Sequence, residues 1–198
     1  MTPNIKPDLN KFYNNGICTD DDGNIYVADV SNHRVQRWTP GTDTVITIAG
    51  GNGHGSGPDQ FTYPSGIHVD SNGNLYVADT GNHRIQKWLP GTTEGVTVAG
   101  GNWQGPDANQ LNCPNDIHVE SDGSIFICDK HNNRIQMWTP GATEGVTVAG
   151  GNGWGSNSDQ LSHPNGIFIS GDNIYVSDWG NDRIQIFVPG STHGRRVI

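Results

Sequence analysis

One motif is written four times along this chain, and that repetition restricts the fold more than any single side chain does. Asn74-Leu75-Tyr76-Val77-Ala78-Asp79 leads into Asn82-His83-Arg84-Ile85-Gln86-Lys87-Trp88. The counterparts run from Asn24 to Asp29 with Asn32 to Trp38, from Ser124 to Asp129 with Asn132 to Trp138, and from Asn173 to Asp178 with Asn181 to Phe187. The Asp that closes the first half falls at 29, 79, 129 and 178, so the step is 50, 50 and 49 residues. A unit of this size cannot bury a core by itself, whereas stacked copies share one. One domain over 1–198 is expected, with units at about 10–50, 60–100, 110–150 and 160–198.

Within the second copy, Gly66-Ile67-His68-Val69-Asp70 reads as a strand, and Ser71-Asn72-Gly73-Asn74 as the Asn-Gly kind of turn that closes a hairpin. Leu75 to Asp79 is the next strand. Thr80 to His83 turns the chain into Arg84 to Trp88, Pro90-Gly91 turns it again, and Gly95 to Gly100 supplies a fourth strand. These segments are rich in β-branched and aromatic residues, Pro falls between them, and none has a helical period. The fold class is therefore all-β, an array of four-stranded antiparallel propeller-type blades. Ile, Leu, Val and Phe make up only 41 of 198 residues, a level at which disorder would be suspected, but their concentration in periodic strands overrides that suspicion.

Gly-Ile-x-Val-Asp, Gly-Asn-x-Tyr-Val-Ala-Asp and Asn-His-Arg-Ile-Gln resemble the NHL repeat, over roughly residues 10 to 198. The resemblance implies blades of a β-propeller, commonly six, and a role in interaction, sometimes as the recognition end of a ubiquitin ligase. Four copies leave three arrangements open: a closed four-bladed ring, an arc of a larger propeller, or two chains completing each other. In an open arc the bare blade faces would favour self-association. The first copy starts at the inner strand and the last ends near its fourth, so no spare strand is expected to latch the two.

The net charge of −9, with only 11 Lys and Arg, argues against nucleic acid and against acidic membrane surfaces. RNA binding, also implied by the resemblance, is disfavoured on that ground. Met1 to Pro7 contains no apolar signal-peptide core, and no stretch has the length of a membrane span. Cys18, Cys113 and Cys128 occupy three different places in the repeat, unlike a disulfide framework, and no Asn-x-Ser/Thr sequon occurs. These features point toward the cytoplasm.

Asp29, Asp79, Asp129 and Asp178 each precede an Arg by five residues: Arg34, Arg84, Arg134 and Arg183. A catalytic group seldom recurs in every blade, so these read as structural ion pairs within a blade or across to the next, and Trp38, Trp88, Trp138 and Phe187 as packing between blades. Asp20-Asp21-Asp22-Gly23 is a hairpin turn like Asp70 to Gly73 and Glu120 to Gly123, not a calcium loop.

Ligand-binding candidates fall in two groups. At the leading strand, where a propeller has its channel, stand Asn15, Ser65, Asn115 and Asn165, with Cys18, His68, His118 and Phe168 further along. Pro114-Asn115-Asp116 and Pro164-Asn165-Gly166 are similar to the calcium-holding strands of gluconolactonase-type hydrolases. The His triad of the peptide-amidating lyase, a zinc enzyme, would fall on those four positions, and none of them is His. In the Gly-rich connections, Trp103 and Trp154 stand where His54 does, on loops suited to anchoring a partner. No catalytic residue, metal site or cofactor is assigned, with calcium as the alternative. The expected function is a non-catalytic scaffold that presents loops to a protein or peptide, against a calcium-dependent lactonase-like hydrolase. Any ligase role needs a further segment, since the chain lacks a RING or B-box cysteine pattern.

Overall fold

A computed structural model describes residues 16–198. Four sheets follow one another, each with four antiparallel strands in chain order. Blade 1 holds β1 (Ile17–Thr19), β2 (Ile25–Asp29), β3 (Arg34–Trp38) and β4 (Val45–Gly50). Blade 2 holds β5 (Pro64–Val69), β6 (Leu75–Asp79), β7 (Arg84–Trp88) and β8 (Val96–Gly100). Blade 3 holds β9 (Pro114–Val119), β10 (Ile125–Asp129), β11 (Arg134–Trp138) and β12 (Val146–Gly150). Blade 4 holds β13 (Gly166–Ser170), β14 (Asn173–Asp178), β15 (Arg183–Phe187) and β16 (Arg195–Arg196). Between the second and third strand of each blade sits a single 3-10 turn, such as Thr80–Asn82. No α-helix occurs among the described residues, and none of the helical turns is long enough to cross a membrane.

The hairpin from β5 to β6 shows why the local sequence folds this way. The Asp70 carboxylate accepts hydrogen bonds from the backbone of Asn72 and Asn74 and from the Asn74 side chain, while Gly73 N donates to Asp70 O. Gly73 takes φ 75, the left-handed conformation that costs glycine nothing. The Asp20 turn repeats this bonding, with Asp22 N, Asn24 N, the Asn24 side chain and the Tyr26 hydroxyl all donating to one carboxylate. Those donors hold Asp20 below its ordinary pKa although desolvation pushes it up. One detail differs from the sequence expectation: Pro64 and Pro114 do not lie between strands but open β5 and β9, where a first-strand residue need not donate to the ladder.

Blades pack face to face. The face of blade 2 carrying Tyr76, Ala78, Ile85 and Ala99 meets Ile117, Ile125, Ile127 and Trp138 of blade 3, and equivalent apolar clusters fill the other two boundaries. The connections between blades are part of this core. Phe61, Leu111 and Leu161, one per connection, are completely buried as wedges between neighbouring blades. The connections do not simply run over one end of the molecule; their second halves dive inward because each carries one apolar residue with a place to go.

Boundaries join blade 1 to 2, 2 to 3 and 3 to 4 through the inner strands. Among the described residues no apolar cluster joins blade 4 back to blade 1. Ile17 on the outward face of blade 1 is 67 % exposed and Phe168 on that of blade 4 is 62 % exposed. The four blades form an open arc.

Candidate functional site

The Asp–Arg pairs lie at one end of every blade, where the second strand ends and the third begins. Arg Nε meets Asp Oδ2 at 2.8 Å for Arg34–Asp29 and Arg84–Asp79, 2.7 Å for Arg134–Asp129 and 2.6 Å for Arg183–Asp178. All four pairs are within one blade. Asp79 Oδ1 also receives Thr62 N at 2.7 Å, and Asn82 Nδ2 donates to Oδ2 at 2.7 Å. Arg84 Nη2 reaches back to the carbonyls of Gly57 and Gln60. In blades 2, 3 and 4 the pair thus fastens the connection that precedes its blade. Burial raises the carboxyl pKa of Asp79 and Asp129, and the donors around them oppose it. Unpaired, such carboxylates would be costly, and each here accepts three donors from its own joint, so the arrangement is structural.

At the same end the inner strands converge on the channel mouth. Asn15 lies outside the described residues. Ser65 Oγ donates to Asn115 O at 2.8 Å and lies 2.6 Å from Thr80 Oγ1. Asn115 Nδ2 donates to Asn165 O at 2.8 Å and to its Oδ1 at 3.3 Å. The strands approach closely enough that a Cβ on Gly66 would sit 2.5 Å from the Asp116 Cα. Sequence reading brought Ser65, Asn115 and Asn165 to one mouth but missed two charged residues there. Lys130 Nζ donates to Asn165 Oδ1 at 3.0 Å. Asp116 Oδ1 accepts Ile117 N and Oδ2 accepts Ile167 N of the next blade, both at 3.0 Å, while burial raises its pKa. The available signal was a break in the repeat: Asp116 replaces the glycine found at 66 and 166, and Lys130 replaces Thr80 or Trp179.

This donor set does not fit a calcium ion. A hard dication needs about six to eight oxygens, but here an ammonium occupies the side-chain oxygen of Asn165 and backbone N–H groups occupy the one nearby carboxylate. Among the described residues no group of three His, Cys, Asp or Glu side chains is placed to share a metal.

Further along the channel strands, His68 and His118 meet edge to face at 5.2 Å, and His118 Nε2 lies 3.5 Å from Glu120. Burial, then the neighbouring His118, lowers His68 to a pKa of about 4, so this pair is neutral at pH 7. Burial raises the Cys18 thiol to about 12, which makes it a poor nucleophile. Phe168 takes the same position in blade 4 and stays exposed against the open end.

In the connections, Trp154 is 70 % exposed and its indole Nε1 donates to Ser162 Oγ at 2.7 Å, so it is braced against its own loop. Trp103 is 87 % exposed and makes no hydrogen bond among the described residues. The two are not equivalent, contrary to the alignment read from sequence. His54, Gln104 and Trp154 form matching bridges to Phe61, Leu111 and Leu161, whereas Trp103 falls where the other connections have Gly53 and Gly153. His54 packs with His33 and Tyr63, ring centroids 5.0 and 5.8 Å away.

A family model described as the NHL repeat matches residues 15–38, 61–88 and 111–138, which fall in the first three blades. The chain carries NHL repeats. Blade 4 lies outside the match but has the same four-stranded order and the same Asp–Arg joint. A comparison with curated proteins gives no match. Similar solved structures include a gluconolactonase from Xanthomonas campestris (20 % identity, TM-score 0.69, covering 91 % of this chain and 60 % of that one). An auxiliary nutrient binding protein from Bacteroides thetaiotaomicron (20 %, 0.67, 86 % and 46 %) and virginiamycin B lyase from Staphylococcus aureus (15 %, 0.57, 91 % and 53 %) are similar too. The NHL chain spans about half the length of such structures, from 46 % to 60 % of these three. At these identities the likeness establishes the fold.

The middle residue of the NHL triplet has a visible task. His33 and His83 adopt φ 53 and 54, and each Nδ1 accepts a backbone N–H of the next blade, Tyr63 N at 3.3 Å and Cys113 N at 3.0 Å. Asn133 does the same with Oδ1, accepting His163 N at 2.9 Å. These are blade-to-blade clasps, and only a neutral imidazole can serve. Burial lowers the pKa of both His33 and His83, in keeping with that role.

Proposed function

We propose that this NHL module is a non-catalytic recognition scaffold that presents the loop end of its blades to a protein or peptide partner. The observation that supports it is the contrast at that end: the polar groups of the channel mouth satisfy one another, with Lys130 on Asn165 and backbone N–H groups on Asp116, while the Trp154 ring remains open to solvent. A braced aromatic on a packed array of blades is a low-entropy anchor for a partner. Within a longer protein the same surface would suit the recognition end of a ubiquitin ligase, as the NHL resemblance implies. The acidic net charge of −9 keeps RNA the weaker partner class.

The rival is a calcium-dependent lactonase, and its support is the adjacency of Asn115 and Asn165. One experiment weighs both. Peptides selected by display on the immobilised chain should bind the purified protein, and Trp154→Ala should weaken them by about tenfold without lowering Tm. Calcium should leave Tm unchanged, and a lactone panel should show no turnover. A calcium-induced rise in Tm that Asn115→Ala and Asn165→Ala abolish, together with lactone hydrolysis, would establish the enzyme instead.

A further inference from the structure

Trp103 occupies a backbone position that disfavours it. Its φ is 68, while the matching residues of the neighbouring connections are Gly53 and Gly153 at φ 87 and 82. A bulky L-residue held in the left-handed region carries strain, and with 87 % of its surface exposed the ring recovers little of that cost from packing. Its place is therefore explained by something the ring does, not by the fold.

Trp103 borders a cavity of about 750 Å³ at the loop end of blade 2, together with Ser56, Asn82, Arg84, Asn102 and Gln104. The repeat makes a second departure here. Arg134 Nη1 donates to Pro106 O at 2.7 Å, and Arg183 Nη1 to Ser156 O at 2.6 Å. Ser56 is the counterpart of those two residues, but the Arg84 hydrogen bonds among the described residues come from Nε and Nη2, and none from Nη1 reaches Ser56 O. Arg84 Nη1 is not sealed from solvent; on the wall of the cavity it is a guanidinium donor open to an oxygen of a ligand.

We propose that this cavity binds a neutral saccharide, with a pyranose ring stacked on Trp103. The Arg84 charge is already met by Asp79 at 2.8 Å, so an anionic ligand would bring an unmatched charge to a protein of net charge −9. Asn82 commits both side-chain N–H groups, to Gly55 O and Asp79, whereas Asn102 and Gln104 commit one each, to Asn109 O and to Asn112 Oδ1. The wall therefore offers donors, Arg84 Nη1 and the second N–H of Asn102 and of Gln104, beside amide carbonyl oxygens as acceptors. A peptide offers one N–H per residue at fixed spacing, whereas a sugar offers a fan of hydroxyls that donate and accept around an apolar C–H face suited to an indole plane. This inference goes beyond partner recognition through Trp154 and does not rest on it.

The test is calorimetry and tryptophan fluorescence with a panel of neutral mono- and disaccharides, a uronic acid and an unrelated peptide. At least one neutral sugar should bind saturably. Trp103→Gly should weaken that binding by about tenfold or more while leaving Tm equal or higher, because glycine relieves the left-handed strain. Trp103→Phe should retain part of the affinity. The proposal is overturned if no neutral sugar binds, if Trp103→Gly binds as well as the parent, or if only the uronic acid or the peptide binds.

Discussion

The sealed boundaries on either side of the second blade and the outward face of the first blade are written in the same sequence pattern, yet they differ in closure. Ile67 and Ile117 are 5 % and 4 % exposed, whereas Ile17 at the same strand position is 67 % exposed. Trp88 and Trp138 are buried, and their Nε1 atoms donate to Gln86 and Gln136 on their own strands. Trp38 instead turns its Nε1 to the carbonyl of Thr42. Arg84 has 11 % of its side chain exposed, and Arg34 has 33 %. A blade does not bury its own apolar face; the neighbour and the intervening wedge do. Stability in such an array is therefore a property of boundaries more than of sheets.

The largest effect should come from the wedge. Leu111→Ala removes a completely buried side chain from the sealed boundary and is expected to cost about 2–5 kcal/mol in urea denaturation, against about 0.5 kcal/mol or less for Ile17→Ala. Equal losses would mean that the outward face is covered in solution. The ion pairs should separate less widely. Arg84→Ala strands the buried Asp79 and should cost about 3 kcal/mol, whereas Arg34→Ala in the more exposed pair should cost less than about 1 kcal/mol. A stable Arg84→Ala protein would remove the pairs from the structural account.

The smallest effect is in pH. His33 and His83 have folded-state pKa values below their ordinary ones, and His68 lies at about 4. The unfolded chain thus takes up protons first, and the stability these groups contribute is present above pH of roughly 6.5 and lost as pH falls toward 4. Asp79, Asp116 and Asp129, whose pKa values are raised, contribute in the opposite sense, favouring the folded state at acid pH. His83→Asn isolates the clasp, because Asn133 already accepts the same bond with an amide. Thermal melts from pH 7 to 5 should show a shallower fall in Tm for this variant than for the parent. A parallel fall would mean that the His83 clasp does not titrate.

Strands and turns were legible in the sequence because their causes are local. The expected spans Leu75 to Asp79 and Arg84 to Trp88 coincide with β6 and β7, since alternation and turn chemistry act over a few residues. The channel mouth was legible only in part. Ser65, Asn115 and Asn165 could be brought to one place by the period, but Lys130 meets Asn165 across 35 residues and Asp116 meets Ile167 across 51. Such bonds depend on how blades are offset, which no local pattern encodes. Trp103 is a different case: Gly-Gly-Asn recurs at a constant 50-residue step, which already sets Trp103 against Gly53 and Gly153, one residue before His54 and Trp154, and the backbone angles agree.

Because Arg84 and Arg134 hold carbonyls of the connection before them, and Phe61 and Leu111 seal it in place, a connection belongs mechanically to the blade that follows. The repeating module is therefore linker and then blade, with its seam near Gly51, Gly101 and Gly151. A chain lengthened or shortened by whole modules at these seams would retain every guanidinium-to-carbonyl bond, whereas one cut between the connection and its blade would lose the set. The seams are where this protein can be spliced.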